Sequence, residues 1–290
     1  MTGPGHQDQP WLPQGIAVDH HGNVLITNSS GKAVMVRVAA ARSGTFYGIA
    51  MRAAHIYTIA GGGPTPPVDG LPATQAWIAV IGVSVDHQGN VLMGDIATGA
   101  DLWVLPARSG THYGQHMTAG DLYLIAGGGR TPGDGIPALG AAPPSPLTGI
   151  ATDKAGNIIL AGDSVRIIAA RTGTLYGQPM TAGDIYTLTA LRLDGQYVGA
   201  AADEAGNVIV TIIGLHHVVR VIPARSGTFY GQPMTAGHLH TIAGGGTGLI
   251  PGNRPGTKIA LDSPEGLAVL ASGDIVFSDL GAARILLIHH

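Results

Sequence analysis

The chain has no cysteine. Disulfide staples and thiolate chemistry are therefore excluded, and the absence agrees with a reducing compartment. Charge is also scarce. Only 11% of the residues are Asp, Glu, Lys or Arg, the net charge is −3, and the lysines are just Lys32, Lys154 and Lys258. A protein that binds nucleic acid needs a basic face to neutralise phosphates, so nucleic acid is not an expected partner. No apolar run approaches the ~18 residues of a membrane helix. The opening stretch MTGPGHQDQPWLPQG has neither a basic start nor the apolar centre of a secretory signal. The expectation is a cytoplasmic protein with no membrane partner.

Glycine is abundant: 46 residues, beside 19 prolines and a hydrophobic share of 45%. That combination argues for short strands and tight turns in one domain over residues 1–290, not for disorder. Much of the glycine lies in a repeated string. ARSGTFYGQPMTAGHLHTIAGGG begins at Ala224, and related copies begin at Ala41, Ala107 and Ala170. A second motif precedes each copy: GIAVDHHGNVLIT at Gly15, with counterparts at Gly82, Gly149, Gly199 and Gly266. There are thus five units, repeated about every 50–67 residues.

Each unit parses as strands, four in each of the first four units. In the first they cover residues 16–18, 24–27, 34–38 and 56–60, with a D-x-x-G-N turn after the first strand and a long hairpin loop before the last. Asp, Gly and Asn supply the geometry of the tight turn. Short strands at this period, with no helical periodicity, predict an all-β fold: a β-propeller of five blades of mostly four antiparallel strands. The fourth strand has only four copies, so the last blade is expected to have three strands unless a fourth comes from elsewhere.

The segments at 13–24 and 264–276, the TIAGGG endings at Thr58 and Thr241, and the connectors DGLPAT at Asp69 and DGIPA at Asp134 resemble the NHL-repeat family of propellers. That family is related in fold to strictosidine-synthase-like and lactonase propellers. The resemblance covers nearly the whole chain. It implies that the first strand of each blade lines a central channel, and that small-molecule sites sit at the channel mouth. It says little of function, because one fold hosts many activities. NHL propellers commonly have six blades, against five here.

The internal repeat shows which blades break the pattern at that mouth. At the end of the second strand stand Asn28, Asp95, Asp163, Ile212 and Asp279; just before the first strand, Glu265 is the only carboxylate. Blade four alone adds a histidine pair, His216 and His217. The connector before it, residues 190–197, is short and carries Arg192, Asp194 and Tyr197. A notch at that connector is the default site. The expected catalytic set is His216, His217, Asp163 and Tyr197. The expected binding set is Asn28, Asp95, Glu265, Asp279 and Arg192. Against this, an Asp at a strand end often caps a turn, and adjacent residues on a strand point to opposite faces, so at most one of the histidines faces the channel. No cofactor is required. Lactonase-type propellers hold calcium on channel carboxylates and Asn, so the resemblance leaves a divalent metal such as calcium as an option, although no ligand pair at fixed spacing supports one. The repeated Arg42, Arg108, Arg171 and Arg225 read as structural, pairing with carbonyls or carboxylates on the opposite face, and the same holds for Tyr47, Tyr113, Tyr176 and Tyr230. The GGG runs lack the Lys-Ser/Thr of a phosphate loop.

These features support a small-molecule enzyme of specialised metabolism, a lyase, cyclase or hydrolase using acid–base groups. The alternative is a non-catalytic propeller that binds a ligand or a protein. Exposure of His216 to a closed pocket or to open solvent discriminates between them.

Overall fold

The computed structural model describes residues 12–30, 33–97, 99–190, 195–248 and 255–289. It is all-β, with a five-blade β-propeller arrangement of mostly four-stranded antiparallel sheets. Among the described residues the only helical turns are short 3-10 segments at Ala73–Gln75 and Gly256–Lys258. Among the described residues no helix is long and apolar enough to cross a membrane.

Blade one orders its strands Leu12–Val18, Val24–Ser30, Ala33–Ala39 and Ile56–Gly61. Blade two has Val80–Val85, Val91–Asp95, Asp101–Leu105 and Asp121–Thr131. Blade three has Gly149–Thr152, Ile158–Ala161, Ser164–Ile168 and Asp184–Ala190. Blade four has Gly195–Ala202, Val208–Gly214, Val218–Ile222 and His240–Gly244. Blade five has three strands, Pro264–Val269, Ile275–Asp279 and Arg284–Ile288.

The chain divides into two compact units. One comprises residues 1–97 and 103–124, the other residues 98–102 and 125–290, so the division falls in blade two. The first unit has its own core, in which Leu25, Val36, Val38, Ile59, Val91 and Met93 are almost wholly buried. The second has one cluster around Ile159, Ile167, Tyr197 and Val210, and another around Ile209, Val219, Ile275 and Phe277. Val, Ile and Leu dominate because strands covered on both faces must be apolar on both.

Within each unit a hydroxyl ties one blade to the next. Thr27 Oγ1 accepts from the Gly15 N–H at 2.6 Å and donates to the Ile81 carbonyl at 2.9 Å. Thr211 Oγ1 does the same with Gly199 and the Glu265 carbonyl, at 2.8 and 2.6 Å. Thr148 Oγ1 donates to the Tyr197 carbonyl at 2.8 Å. Glycine is required at Gly15 and Gly199 because a Cβ there would overlap the carbonyl oxygen of Ile81 or Glu265.

The long hairpin loop of the repeat is not a plain loop. Gly44–Phe46 pairs with Ile49–Met51 in a separate two-stranded ribbon, and the pattern recurs in blades two, three and four. Each ribbon turns through a Tyr-Gly pair with positive φ at both residues: 53° and 77° at Tyr47 and Gly48. Such a two-residue turn matches the twist of the strands it joins.

Candidate functional site

The two ends of each blade differ in chemistry. At the end with the D-x-x-G-N turn, Asp19 Oδ1 accepts the N–H groups of His21 and Asn23 at 2.8 and 2.9 Å, and Asn23 Nδ2 donates to Asp19 Oδ2 at 2.8 Å. Asn23 Oδ1 accepts the Ala41 N–H at 2.8 Å, and the Tyr47 hydroxyl donates to Asp19 Oδ2 at 2.9 Å. This clasp locks the ribbon to the turn. Tyr113 and Tyr230 repeat it on Asp86 and Asp203, while Tyr176 donates to the Gly206 carbonyl of the next blade. Burial, then the neighbouring carboxylate, pushes the hydroxyl pKa of Tyr47, Tyr113 and Tyr230 far up, so these phenols stay protonated donors. The arginines of the repeat take no part. Arg42, Arg108, Arg171 and Arg225 are exposed, and Arg225 lies over the Phe229 ring at 5.9 Å. The expected pairing with carbonyls or carboxylates is thus carried by tyrosine, which reaches the turn with a buried ring.

The opposite end, where the second strand finishes, holds the residues singled out as site candidates. Asp95 is fully buried and its Oδ1 accepts the N–H groups of Ala79 and Ala97 at 2.9 and 3.0 Å. Asp279, also fully buried, accepts the Asp262 N–H at 2.7 Å and pairs with Arg284 at 2.8 Å. Asp163 is exposed and accepts from the Ser145 N–H and the Ser164 hydroxyl at 3.2 and 3.0 Å. All three cap the connector that enters their blade. Asn28 is 2% exposed, and among the described residues neither its Oδ1 nor its Nδ2 has a hydrogen-bond partner; residues 1–11 lie outside the described residues. Tyr197 is a core residue with no exposed surface, its hydroxyl 3.4 Å from Thr189 Oγ1. It therefore does not open onto a notch. Arg192 and Asp194 lie outside the described residues, as does the middle of the short connector.

His216 is exposed, whereas His217 is half-buried. His217 Nδ1 accepts the Ser263 N–H at 3.2 Å, and the Ser263 hydroxyl donates to Glu265 Oε1 at 3.3 Å. The structure thus brings together His217 and Glu265, chosen separately from the sequence, through a serine the sequence reading passed over. Ser263 stands at φ 67°, a left-handed backbone uncommon for a non-glycine residue. Its sequence context, Asp-Ser-Pro-Glu just before the first strand of blade five, was the available signal. With Nδ1 accepting, the proton of a neutral His217 ring sits on Nε2.

A calcium site does not fit these residues. Among the described residues no three His, Asp or Glu side chains gather as a metal would need. Asp95 is engaged by backbone N–H groups and Asp279 by a guanidinium. A hard cation requires several free carboxylate oxygens at once.

No protein-family model and no curated protein sequence matches the chain. Solved structures do. A Bacteroides thetaiotaomicron protein of unknown function superposes with a TM-score of 0.53 at 11% identity, over 92% of this chain and 52% of that one. The chain thus spans about half the length of that relative. A protein provisionally named a gluconolactonase superposes at 0.50 with 10% identity, over 98% of this chain and 76% of that one. An inactive variant of virginiamycin B lyase from Staphylococcus aureus, bound to quinupristin, gives 0.45 at 14% identity, over 98% and 86%. At these identities the likeness is one of β-propeller fold.

Proposed function

We propose that this protein is a small-molecule enzyme of hydrolase or lyase type, acting through His217 and Glu265 in the second unit. One observation carries the reading. A half-buried histidine and a carboxylate, both at positions where the repeat is broken, meet across Ser263 with hydrogen bonds of 3.2 and 3.3 Å. Glu265 serves as the base that takes a proton from water or from the substrate. His217 Nε2–H polarises the oxygen on which negative charge develops. The same reading takes the chain as an NHL-type propeller of specialised metabolism, working in the cytoplasm on a small molecule, with neither nucleic acid nor a membrane as partner.

Ring-opening of a panel of aliphatic and sugar lactones, followed by acid release, tests it. Glu265→Gln keeps the acceptor for Ser263 but removes the base. It should lower turnover by roughly 10²–10⁴-fold without changing the melting temperature. Full turnover in both Glu265→Gln and His217→Ala overturns the assignment. One observation favours the second reading, a non-catalytic binding propeller: His216, the other half of the pair, stands in open solvent. A chain inert towards every lactone, yet stabilised by one of them with His217 intact, points that way.

A further inference from the structure

Blade five is an unfinished copy of its neighbours. In blades one, three and four the third strand pairs with a fourth: Arg37 stands opposite Thr58, Arg166 opposite Thr187 and Arg220 opposite Thr241. Among the described residues the third strand of blade five, Arg284–Ile288, is paired only with Ile275–Asp279. Along its other side runs a cavity of about 650 Å³, lined by Ile242, Ile259, Leu261, Phe277, Leu286 and Ile288 among others.

The far wall of this cavity is also recognisable from the repeat. The connector into blade two lays Leu71–Pro72 on the outer edge of that blade's fourth strand, at Leu122 and Asp121. The connector into blade three lays Ile136–Pro137 on Ile185 and Asp184 in the same way. Pro255 is the counterpart of Pro72 in the connector into blade five. Each precedes a 3-10 turn, and in each case the residue four further on makes the parallel bridge, Thr65 with Ala76 and Gly248 with Ile259. Pro255, Gly256 and Thr257 line the cavity. The cavity is therefore a slot between the edge at Ile285–Ile288, which no described strand pairs, and the connector segment that elsewhere covers a fourth strand.

We propose that this slot takes an extended segment of a partner polypeptide, added antiparallel to Arg284–Ile288 as the fourth strand of blade five. Backbone hydrogen bonds supply the affinity of such strand addition, and alternate side chains its specificity. The repeat states what the specificity is. Where the third strand carries Arg, the residue opposite is Thr. Blade two carries Trp103 at that position, and there the fourth strand has Leu124, packed against the same core as the tryptophan. Blade five carries Leu286, level with Phe277. Its partner strand is therefore apolar at that position, in the manner of DLYLIAGGG (residues 121–129) and not of HIYTIAGGG (residues 55–63). The chain's own start is a poor donor: residues 1–11 read MTGPGHQDQPW, with no apolar alternation and two prolines that cannot donate to a ladder. A second copy is no better, since the four fourth strands are paired within their own blades.

Labelled synthetic peptides of these two sequences, titrated into the full chain by fluorescence anisotropy, test the proposal. The leucine peptide should bind saturably and the threonine peptide about tenfold more weakly. Amide exchange should slow at residues 284–288 when the leucine peptide is present. Replacing Ile125 by Pro in that peptide should abolish binding, and this control does not depend on any protein variant folding. In the protein, Leu286→Arg should reverse the preference between the peptides. Equal affinities, no saturation at millimolar peptide with a monomeric chain, or protection away from 284–288 overturns the proposal. So does a concentration-dependent dimer that protects 284–288, since it assigns the slot to a second copy.

Discussion

The turn end and the opposite end of the blades repeat with different fidelity. At the turn end the same Asp, Asn and Tyr recur in blades one, two and four with the same hydrogen bonds, and blade three departs only in the acceptor used by Tyr176. At the other end the five equivalent positions hold Asn28, with no partner among the described residues, a capped Asp95, an exposed Asp163, a buried Ile212 and an ion-paired Asp279. The reason lies in where the partners come from. In blades one, two and four the clasp draws its donors from within its own unit of the repeat, so copying the unit copies the bonds. The opposite end is capped by the incoming connector, at Ala79, Ser145 or Asp262. As the connectors diverge, the residue they meet is free to diverge too.

The sharpest way to break this comparison is to remove one carboxylate from each end of the second unit. Asp203 is 7% exposed and accepts from the N–H groups of Ala205 and Asn207, from Asn207 Nδ2 and from the Tyr230 hydroxyl. Asp203→Ala strands these donors in a buried site and should cost about 3 kcal/mol or more. Asp163→Ala removes an exposed acceptor and should cost within ~1 kcal/mol. Urea unfolding of the two variants measures both. Similar losses would show that the opposite end is as structural as the clasp.

The contrast also explains which features were legible in the sequence. The five blades, the tight turns and the missing fourth strand followed from repetition, because each is a local pattern copied along the chain. Two kinds of feature were hidden. One was the geometry inside the repeat: the ribbon at Gly44–Phe46 read as a loop, and the pairing expected of arginine and tyrosine alike is made by tyrosine. Both depend on a backbone with positive φ at Tyr47 that composition does not reveal. The other was chemistry where the repeat breaks. Divergence singles out positions, but the state of each depends on a connector of its own. So Tyr197 proved to be core, Asp95 a cap, and His217 the neighbour of a serine 46 residues away.

A second experiment separates an inner blade from a terminal one. A Cβ at Gly199 would overlap the Glu265 carbonyl of the next blade, whereas at Gly266 it would meet, among the described residues, only Ser278 Oγ at 3.6 Å. Gly199→Ala should therefore cost ~2 kcal/mol as an overpacked contact between strands. Gly266→Ala should be neutral, or should stabilise by up to ~1 kcal/mol through the unfolded chain. Thermal melts of the two variants decide. Equal destabilisation would mean that the face of blade five is covered in solution, as the inner faces are.

The smallest effect distinguishes one clasp from another, and does so through pH. The hydroxyl of Tyr230 donates to a buried carboxylate at 2.9 Å, that of Tyr176 to a backbone carbonyl at 2.7 Å. Tyr230→Phe leaves Asp203 short of a donor and should cost ~1.5 kcal/mol or more, while Tyr176→Phe loses a neutral bond and should cost ~1 kcal/mol. Both phenols are held protonated in the folded chain, by burial first and by nearby carboxylates second, with pKa values raised above the ordinary ~10. The folded chain therefore binds these protons more tightly than the unfolded one. Their contribution is fully present below pH ~10 and is lost as pH rises towards the folded pKa, because unfolding then releases protons. The wild-type unfolding midpoint should fall above pH ~10, with phenolate absorbance appearing together with unfolding and not before it. Either Phe variant should flatten that fall. Phenolate absorbance from Tyr230 in a chain that is still folded at that pH would mean its clasp opens to solvent while the blade stays intact.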